Sequence, residues 1–271
     1  MNSYVTLIAN AEYLVGARAL ARSLHMCNAQ WPLTALALED VDGLADLEAL
    51  GCRILRVAPL PLSADFRARH SRSAQHAHAP FIKGAKPPFH NPLLNFVKLR
   101  LWELEEFDKV VFLDADTLVI RNIDRLFAYP EFAAAPNLYE SLADFHRLNS
   151  GVFVAQPSRR TFAAMLQALD QPGLFWPRTD QTFLERTFPD WHGLPYIFNT
   201  LQYVWFNLPQ LWDWQRIHVI HYQYEKPWEM SHAKRALLAP VIAAWWHVFE
   251  HGCLPAELPA PPETPDPAHA A

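Results

Sequence analysis

The stretch Val110-Val111-Phe112-Leu113-Asp114-Ala115-Asp116 constrains this chain more than any other. Four apolar, mostly β-favouring residues predict a buried strand, and a strand without polar alternation belongs to a sheet covered on both faces. The two carboxylates stand where the C-terminal end of that strand meets solvent. Two positions apart in extended backbone, Asp114 and Asp116 share a face and can converge on one hard divalent cation, Mg²⁺ or Mn²⁺, which prefers oxygen ligands. Ligands of open α/β sheets bind at the strand C-termini, so motif and location agree. An isolated Asp-x-Asp is more often a turn or N-cap signal, here before Thr117. The rest of the chain decides between the two.

Tyr4 to Ala9 predicts a first buried strand, and Asn10 is placed to cap a helix from about Ala11 to His25. Leu33 to Leu38 predicts a second strand, Asp42 to Leu50 a helix ended by Gly51, and Arg53 to Val57 a third strand. This βαβαβ rhythm implies a parallel sheet with right-handed crossovers. Neither G-x-G-x-x-G nor G-x-x-x-x-G-K follows the first strand, so a bound nucleotide must hold its phosphates otherwise, with a metal as the obvious candidate. Pro59 to Pro92 is rich in Pro, Arg and His, including His70, His76, His78 and His90. That spacing matches no helical or zinc pattern and predicts a long loop, a candidate lid, rather than a metal tract.

Asn95 to Leu104 predicts a helix carrying Lys98, followed by the Asp-rich strand and a helical turn over Asn122 to Phe127. A strand within Phe145 to Pro157 is entered through a polar turn, and Ser158 caps a helix to Leu169. Thr179-Asp180-Gln181 opens another helix to about Thr187, and Ile217 to His221 is a last short strand. Ala233 to Glu250 predicts an amphipathic helix broken near Pro240, with Trp245 and Trp246 on an apolar face that favours core over membrane contact. From Leu254 onward Pro, Ala and Glu dominate, predicting a disordered tail. The expected organisation is one domain, 1–253, with tail 254–271.

Hydrophobic residues make up 51% and charged residues 19%, with 10 Trp and 17 Phe, which excludes disorder over most of the length. A formal net charge of −5 argues against a nucleic-acid partner. Cys27, Cys52 and Cys253 are odd in number and widely spaced, so neither a disulfide framework nor a zinc site is suggested. No leader pattern precedes Tyr4 and no run reaches membrane-span length, which predicts a cytoplasmic protein without a transmembrane segment.

Leu113 to Phe127, preceded by Lys98-Leu99-Arg100-Leu101-Trp102, resembles the glycogenin-like retaining glycosyltransferases, family 8, which include glycogenin and galactinol synthase. Further matches follow in order from about residue 4 to 228. The resemblance implies a GT-A-type, Rossmann-like α/β domain with a mixed, mainly parallel central sheet that binds a UDP-sugar. It places Leu7, Ala9, Asn10 and Tyr13 against the uracil and ribose, Tyr13 lying on the base. It places Lys98 toward the donor and makes Asp114-Ala115-Asp116 the metal motif, with His221 as third metal ligand. Lys226, in Lys226-Pro227-Trp228, would hold the pyrophosphate, and Asn149 and the Asp180-Gln181 pair would adjoin the transferred sugar.

Two departures stand out. The segment His221-Tyr222-Gln223-Tyr224-Glu225-Lys226 lacks glycogenin's glycine and is one residue shorter, and Pro177 replaces a further acidic residue. The expected chemistry is transfer of a hexose from UDP to an acceptor hydroxyl of a saccharide, lipid, polyol or protein. Imidazole among the ligands tilts the cofactor toward Mn²⁺ over Mg²⁺. Asp180, Gln181, Asn149 and Lys98 are the candidate catalytic residues, acting by front-face attack or, with Asp180 as nucleophile, by double displacement. A non-catalytic nucleotide-sugar-binding or scaffold protein is the alternative from another class; a sugar nucleotidyltransferase is disfavoured by the missing Gly-rich basic loop. Self-association as a homo-oligomer is left open.

Overall fold

The opening rhythm folds as its periodicity predicts. Strand β1 (Asn2–Ile8), helix α1 (Leu14–Met26), strand β2 (Leu33–Leu38), helix α2 (Ala45–Ala49) and strand β3 (Arg53–Val57) follow in order. β1 pairs parallel with β2 and β2 with β3. The structure, a computed structural model, describes residues 1–77, 86–171 and 179–263.

Two short helices, α3 (Ala64–Arg69) and α4 (Arg72–Ala77), occupy the stretch expected to be a loop. Strand β4 (Lys109–Leu113) returns to the sheet beside β1, parallel to it. After β5 (Thr117–Val119) come β6 (Ala133–Pro136), β7 (Leu148–Ala155), helices α5 (Arg159–Leu169) and α6 (Asp180–Thr187), and β8 (His192–Gly193). β9 (Thr200–Leu201), α7 (Val204–Asn207), β10 (Val219–His221) and α8 (Ala239–His251) complete the order. The main sheet runs β3-β2-β1-β4-β7-β6-β8, with β7 antiparallel to β4 and β6. A small sheet, β5-β10-β9, sits beside it.

Every residue of β2 and β7 is buried, and so is all of β1 and β4 but the first residue of each, as unalternated apolar strands require. One core fills the main sheet and the helices on it; a second, rich in aromatic residues, joins the small sheet to α7 and α8. From β1 the chain passes to β2 on one side, while β4 lies on the other. The crevice between the C-terminal ends of β1 and β4 is therefore a topological switch point, where open α/β sheets bind ligands.

Several local expectations are corrected. Asn10 does not cap α1 with its side chain: Ala11–Tyr13 first make a 3₁₀ turn, and Asn10 Nδ2 donates to the Phe89 carbonyl at 2.9 Å. The segment around Lys98 is a 3₁₀ run, Pro92–Glu103, opened by Pro92 and by Asn91, whose side chain accepts from Leu93 N–H. Phe96, Val97, Lys98 and Leu99 are all buried there, so it lacks the single apolar face of an amphipathic α-helix. Pro240 begins α8 instead of breaking it, consistent with proline's fit to a first helical turn. Residues 254–263 carry no helix or strand, yet Leu254 and Leu258 pack on the second core and Pro259 accepts from Trp214 Nε1–H at 2.7 Å. Disorder from residue 254 is thus not what the described part of the tail shows; 264–271 lie outside the described residues.

His70 is a core residue stacked on Phe66, with ring centroids 3.9 Å apart. His78 and Pro177 lie outside the described residues. All three cysteines are free. Among the described residues no helix is long and apolar enough to cross a membrane.

Candidate active site at the sheet switch point

β4 ends at Leu113, and the ladder with β7 continues one step further: Asp114 N–H donates to Gly151 O at 2.8 Å. This lays Asn149-Ser150-Gly151 beside the two carboxylates. Asp116 directly precedes β5, and the antiparallel β5–β10 register pairs Thr117 with His221. Tyr222 N–H donates to Asp116 O at 2.9 Å. A histidine more than a hundred positions away in sequence is thereby brought to the motif.

Ligand atoms of Asp114, Asp116 and His221 all lie within 4.8 Å of one another, and this is the only such group of three among the described residues. His221 Nε2 is 3.3 Å from Asp116 Oδ1 and 3.9 Å from Asp114 Oδ2. Two carboxylates and an imidazole form a donor set that could hold a divalent metal. The closeness depends on Gly151, where a Cβ would fall 2.2 Å from His221 Cε1. It also depends on Gly16 of α1, where a Cβ would fall 2.3 Å from the Ala115 carbonyl oxygen.

Two lysines are built into the carboxylates. Lys98, buried, donates to Asp114 Oδ1 at 3.1 Å and Asp180 Oδ2 at 2.8 Å. Lys226, equally buried, donates to Asp116 Oδ2 and, at 2.9 Å, to the Tyr222 carbonyl. Burial raises the Asp114 carboxyl above its ordinary range, opposed by Lys98 and reinforced by Asp116. Burial pushes Asp116 the same way, but Lys226 and His221 outweigh it and hold this carboxyl well below the usual range. Lys98 is driven up: burial disfavours its charge, and Asp114 and Asp180 more than compensate.

Thr179 caps α6, accepting from Thr182 N–H, which places Asp180 and Gln181 in the first turn. Asp180 Oδ2 accepts from Ser150 Oγ at 2.8 Å, and Gln181 Oε1 from Ser150 N–H at 3.4 Å. Leu7, Ala9, Tyr13, Lys98, Asp114, Ala115, Asp116, Asn149, Asp180, Gln181, His221 and Lys226 line one cleft of about 980 Å³, its open mouth included. Asn10 is not among its lining residues, and its Oδ1 is buried without a hydrogen-bond partner. Asn149, expected beside the sugar, is saturated by protein. Its Oδ1 accepts from Gly151 N–H and Asn199 Nδ2, both at 2.8 Å, and its Nδ2 donates to Asn137 Oδ1 at 2.8 Å and Gln223 Oε1 at 3.3 Å.

Other lining residues escape sequence reasoning. Lys86 arrives from a stretch without periodicity, its Nζ 4.7 Å from the centre of the Tyr224 ring. Burial, then Lys226, pulls its ammonium down to about 8. Tyr224 stands in the loop that lacks glycogenin's glycine and takes φ +69°, the left-handed conformation that costs a side chain about 1–2 kcal/mol. The loop is braced from behind by Gln202, whose Nε2 donates to the carbonyls of Gln223 at 2.8 Å and Glu225 at 2.9 Å.

Residues 4–231 match the family model described as Glycosyl transferase family 8. UDP-glucuronate:xylan alpha-glucuronosyltransferase 2 of Arabidopsis thaliana is 29% identical over 238 residues, 83% of this chain and 35% of its own length. The chain thus spans about a third of that relative. Galactinol synthase 1 of Solanum lycopersicum is 27% identical over 278 residues, 91% of this chain and 81% of its own. Among solved structures, the glycosyltransferase GlyE of Streptococcus pneumoniae TIGR4 superposes with a TM-score of 0.61 at 14% identity, over 92% of this chain and 62% of its own. The mixed, mainly parallel sheet is that of the GT-A glycosyltransferases. With its motif strand, its distant histidine and its family match over most of its length, the chain belongs to glycosyltransferase family 8.

Proposed function

We propose that this protein transfers a hexosyl group from a UDP-sugar to an acceptor hydroxyl, retaining anomeric configuration and depending on a divalent metal. The observation that carries it is the meeting of Asp114, Asp116 and His221 at the switch-point crevice, facing Asp180-Gln181 across one cleft. Asp114, Asp116 and His221 would hold the metal, Mn²⁺ in preference to Mg²⁺, and bound there it would offset the charge gathering on the departing diphosphate. Lys226 and Lys86 line the same cleft and would add positive charge. Leu7, Ala9 and Tyr13 line the cleft as well and are the residues we assign to the nucleoside.

Asp180 is neutralised by Lys98 and bonded to Ser150. A carboxylate so engaged orients a sugar better than it attacks one, which favours the front-face route. A glycosyl adduct on Asp180 in the intact mass would contradict that route. The activity itself is tested by UDP release from UDP-glucuronate, which a relative's name prints, and from UDP-glucose and UDP-galactose, each with Mn²⁺ or a chelator. Metal-dependent release with one donor supports the proposal. UDP binding with no release from any donor and acceptor pair would move the protein to the non-catalytic class.

A further inference from the structure

His221 faces the two carboxylates through Nε2, and its other ring nitrogen is held by a residue outside every motif. Nδ1 lies 3.0 Å from Oδ1 of Asn199, which is 1% exposed. Parallel pairing of β9 with β10, Thr200 opposite Ile220 and Leu201 opposite His221, sets Asn199 there.

The direction of this hydrogen bond follows from its neighbours. The Gly151 backbone N–H can only donate, and it meets Asn149 Oδ1 at 2.8 Å, so that atom is an acceptor. The Asn199 atom 2.8 Å from the same oxygen must then be the NH₂ group, which turns Asn199's own oxygen toward the imidazole. An amide oxygen cannot donate. Nδ1 therefore carries a hydrogen, and once Nε2 gives up its own, as a metal ligand must, its lone pair is directed at the Asp114–Asp116 pair.

We infer that Asn199 is a positioning residue that locks His221 as the Nδ1–H tautomer and so presents Nε2 as a ligand atom. The inference rests on the metal-dependent reading above. Asn149 is the second member of the relay: with both acceptor and both donor positions engaged, it orients Asn199. The Gly151 Cα closes the arrangement, since a Cβ there would lie 2.4 Å from Nδ1 itself. An outer partner of this kind fixes the ring's tautomer and orientation, and its loss typically costs 10–100-fold in metal affinity.

The test is a Mn²⁺ titration at saturating UDP, read by loss of the free-ion EPR signal, for wild type, Asn199→Leu and Asn199→Asp, with a melting curve for each. Asn199→Leu removes the acceptor and is expected to weaken Mn²⁺ binding by about 10–100-fold. Asn199→Asp still accepts from Nδ1–H but loses the bond to Asn149 Oδ1, and is expected to keep more of the Mn²⁺ affinity than Asn199→Leu. A leucine variant that folds and binds Mn²⁺ like wild type overturns the role of Asn199 while leaving the Asp114–Asp116–His221 site standing. A wild-type protein that takes up no Mn²⁺ overturns the metal reading and this inference together. Should the leucine variant not fold, ¹⁵N spectra of histidine-labelled wild type, assigned against His221→Ala, decide the matter. A protonated Nδ1 supports the assignment, and an Nδ1 without a hydrogen overturns it.

Discussion

Asp114 and Asp116 share a motif but not an environment. Asp116 is tied on one oxygen to Lys226 and faces His221 with the other, and is ionised throughout the working range; Asp114 is raised by burial and by its neighbour's charge. Asp116→Asn removes the charge that Lys226 holds and that the proposed metal would share, and is expected to lower kcat/KM by a factor of about 10² or more, about 2.7 kcal/mol of transition-state stabilisation at the least. Full turnover in that variant would sink the metal assignment. Lys86 predicts a pH dependence. Its value near 8 is set by burial and by Lys226, against the attraction of Asp116, Asp114 and Asp180, while Tyr224 under it stays protonated, its own value raised by burial. An anion binds the protonated ammonium, so UDP affinity should be level below pH 8 and fall up to about tenfold per unit above it. Lys86→Met, titrated with UDP between pH 7 and 9, should flatten that profile. For folding the sign is opposite: a lysine value depressed below its unfolded one costs stability below about pH 8, and the cost fades as pH rises toward the ordinary lysine range. The carboxylates are legible in the sequence because a strand's period fixes their face. Lys86 and Asn199 are not, because neither sits in a periodic element and each meets the site only through the tertiary fold.

Elements that alternate cleanly between strand and helix read well from sequence, as β1 to β3 and α5 with its Ser158 cap show. Those buried on several sides do not. The run from Pro92 to Glu103 has no solvent face to set a helical period, and it winds as 3₁₀ turns that carry Lys98 to Asp114. The convergence of β4, β7 and β10 is likewise invisible to local pattern, since it arises from register between distant strands. It leaves no room at Gly151: Gly151→Ala should cost about 1–3 kcal/mol in stability through overpacking and displace His221. Denaturant melts should register the first effect and Mn²⁺ affinity the second; wild-type values in both would contradict the packing described. The tail offers an independent check. A chain ending at residue 253 loses Leu254, Leu258 and the Trp214–Pro259 hydrogen bond, and should unfold about 1–3 kcal/mol more easily than one ending at 263.

At the scale of the whole molecule, the family match shows what the chain is related to, and the cleft is where the proposed donor would bind. Composition speaks only to exclusion: a net charge of −5 and an apolar, aromatic interior turn attention from nucleic acid to a small ligand held at the end of a buried sheet. The central claim is that a uridine diphosphate and a divalent metal occupy that cleft together. The thermal midpoint with UDP, GDP or ADP, each with and without Mn²⁺, tests it most directly, because a ligand that binds the native state raises the midpoint by mass action. At a hundredfold excess over Kd the gain is about 2.7 kcal/mol, worth roughly 5–10 °C for a chain of this size. The account predicts a shift of that order with UDP and Mn²⁺ together, and much smaller ones with GDP, with ADP or without metal. No shift with any nucleotide, or one independent of Mn²⁺ and of the base, would contradict it.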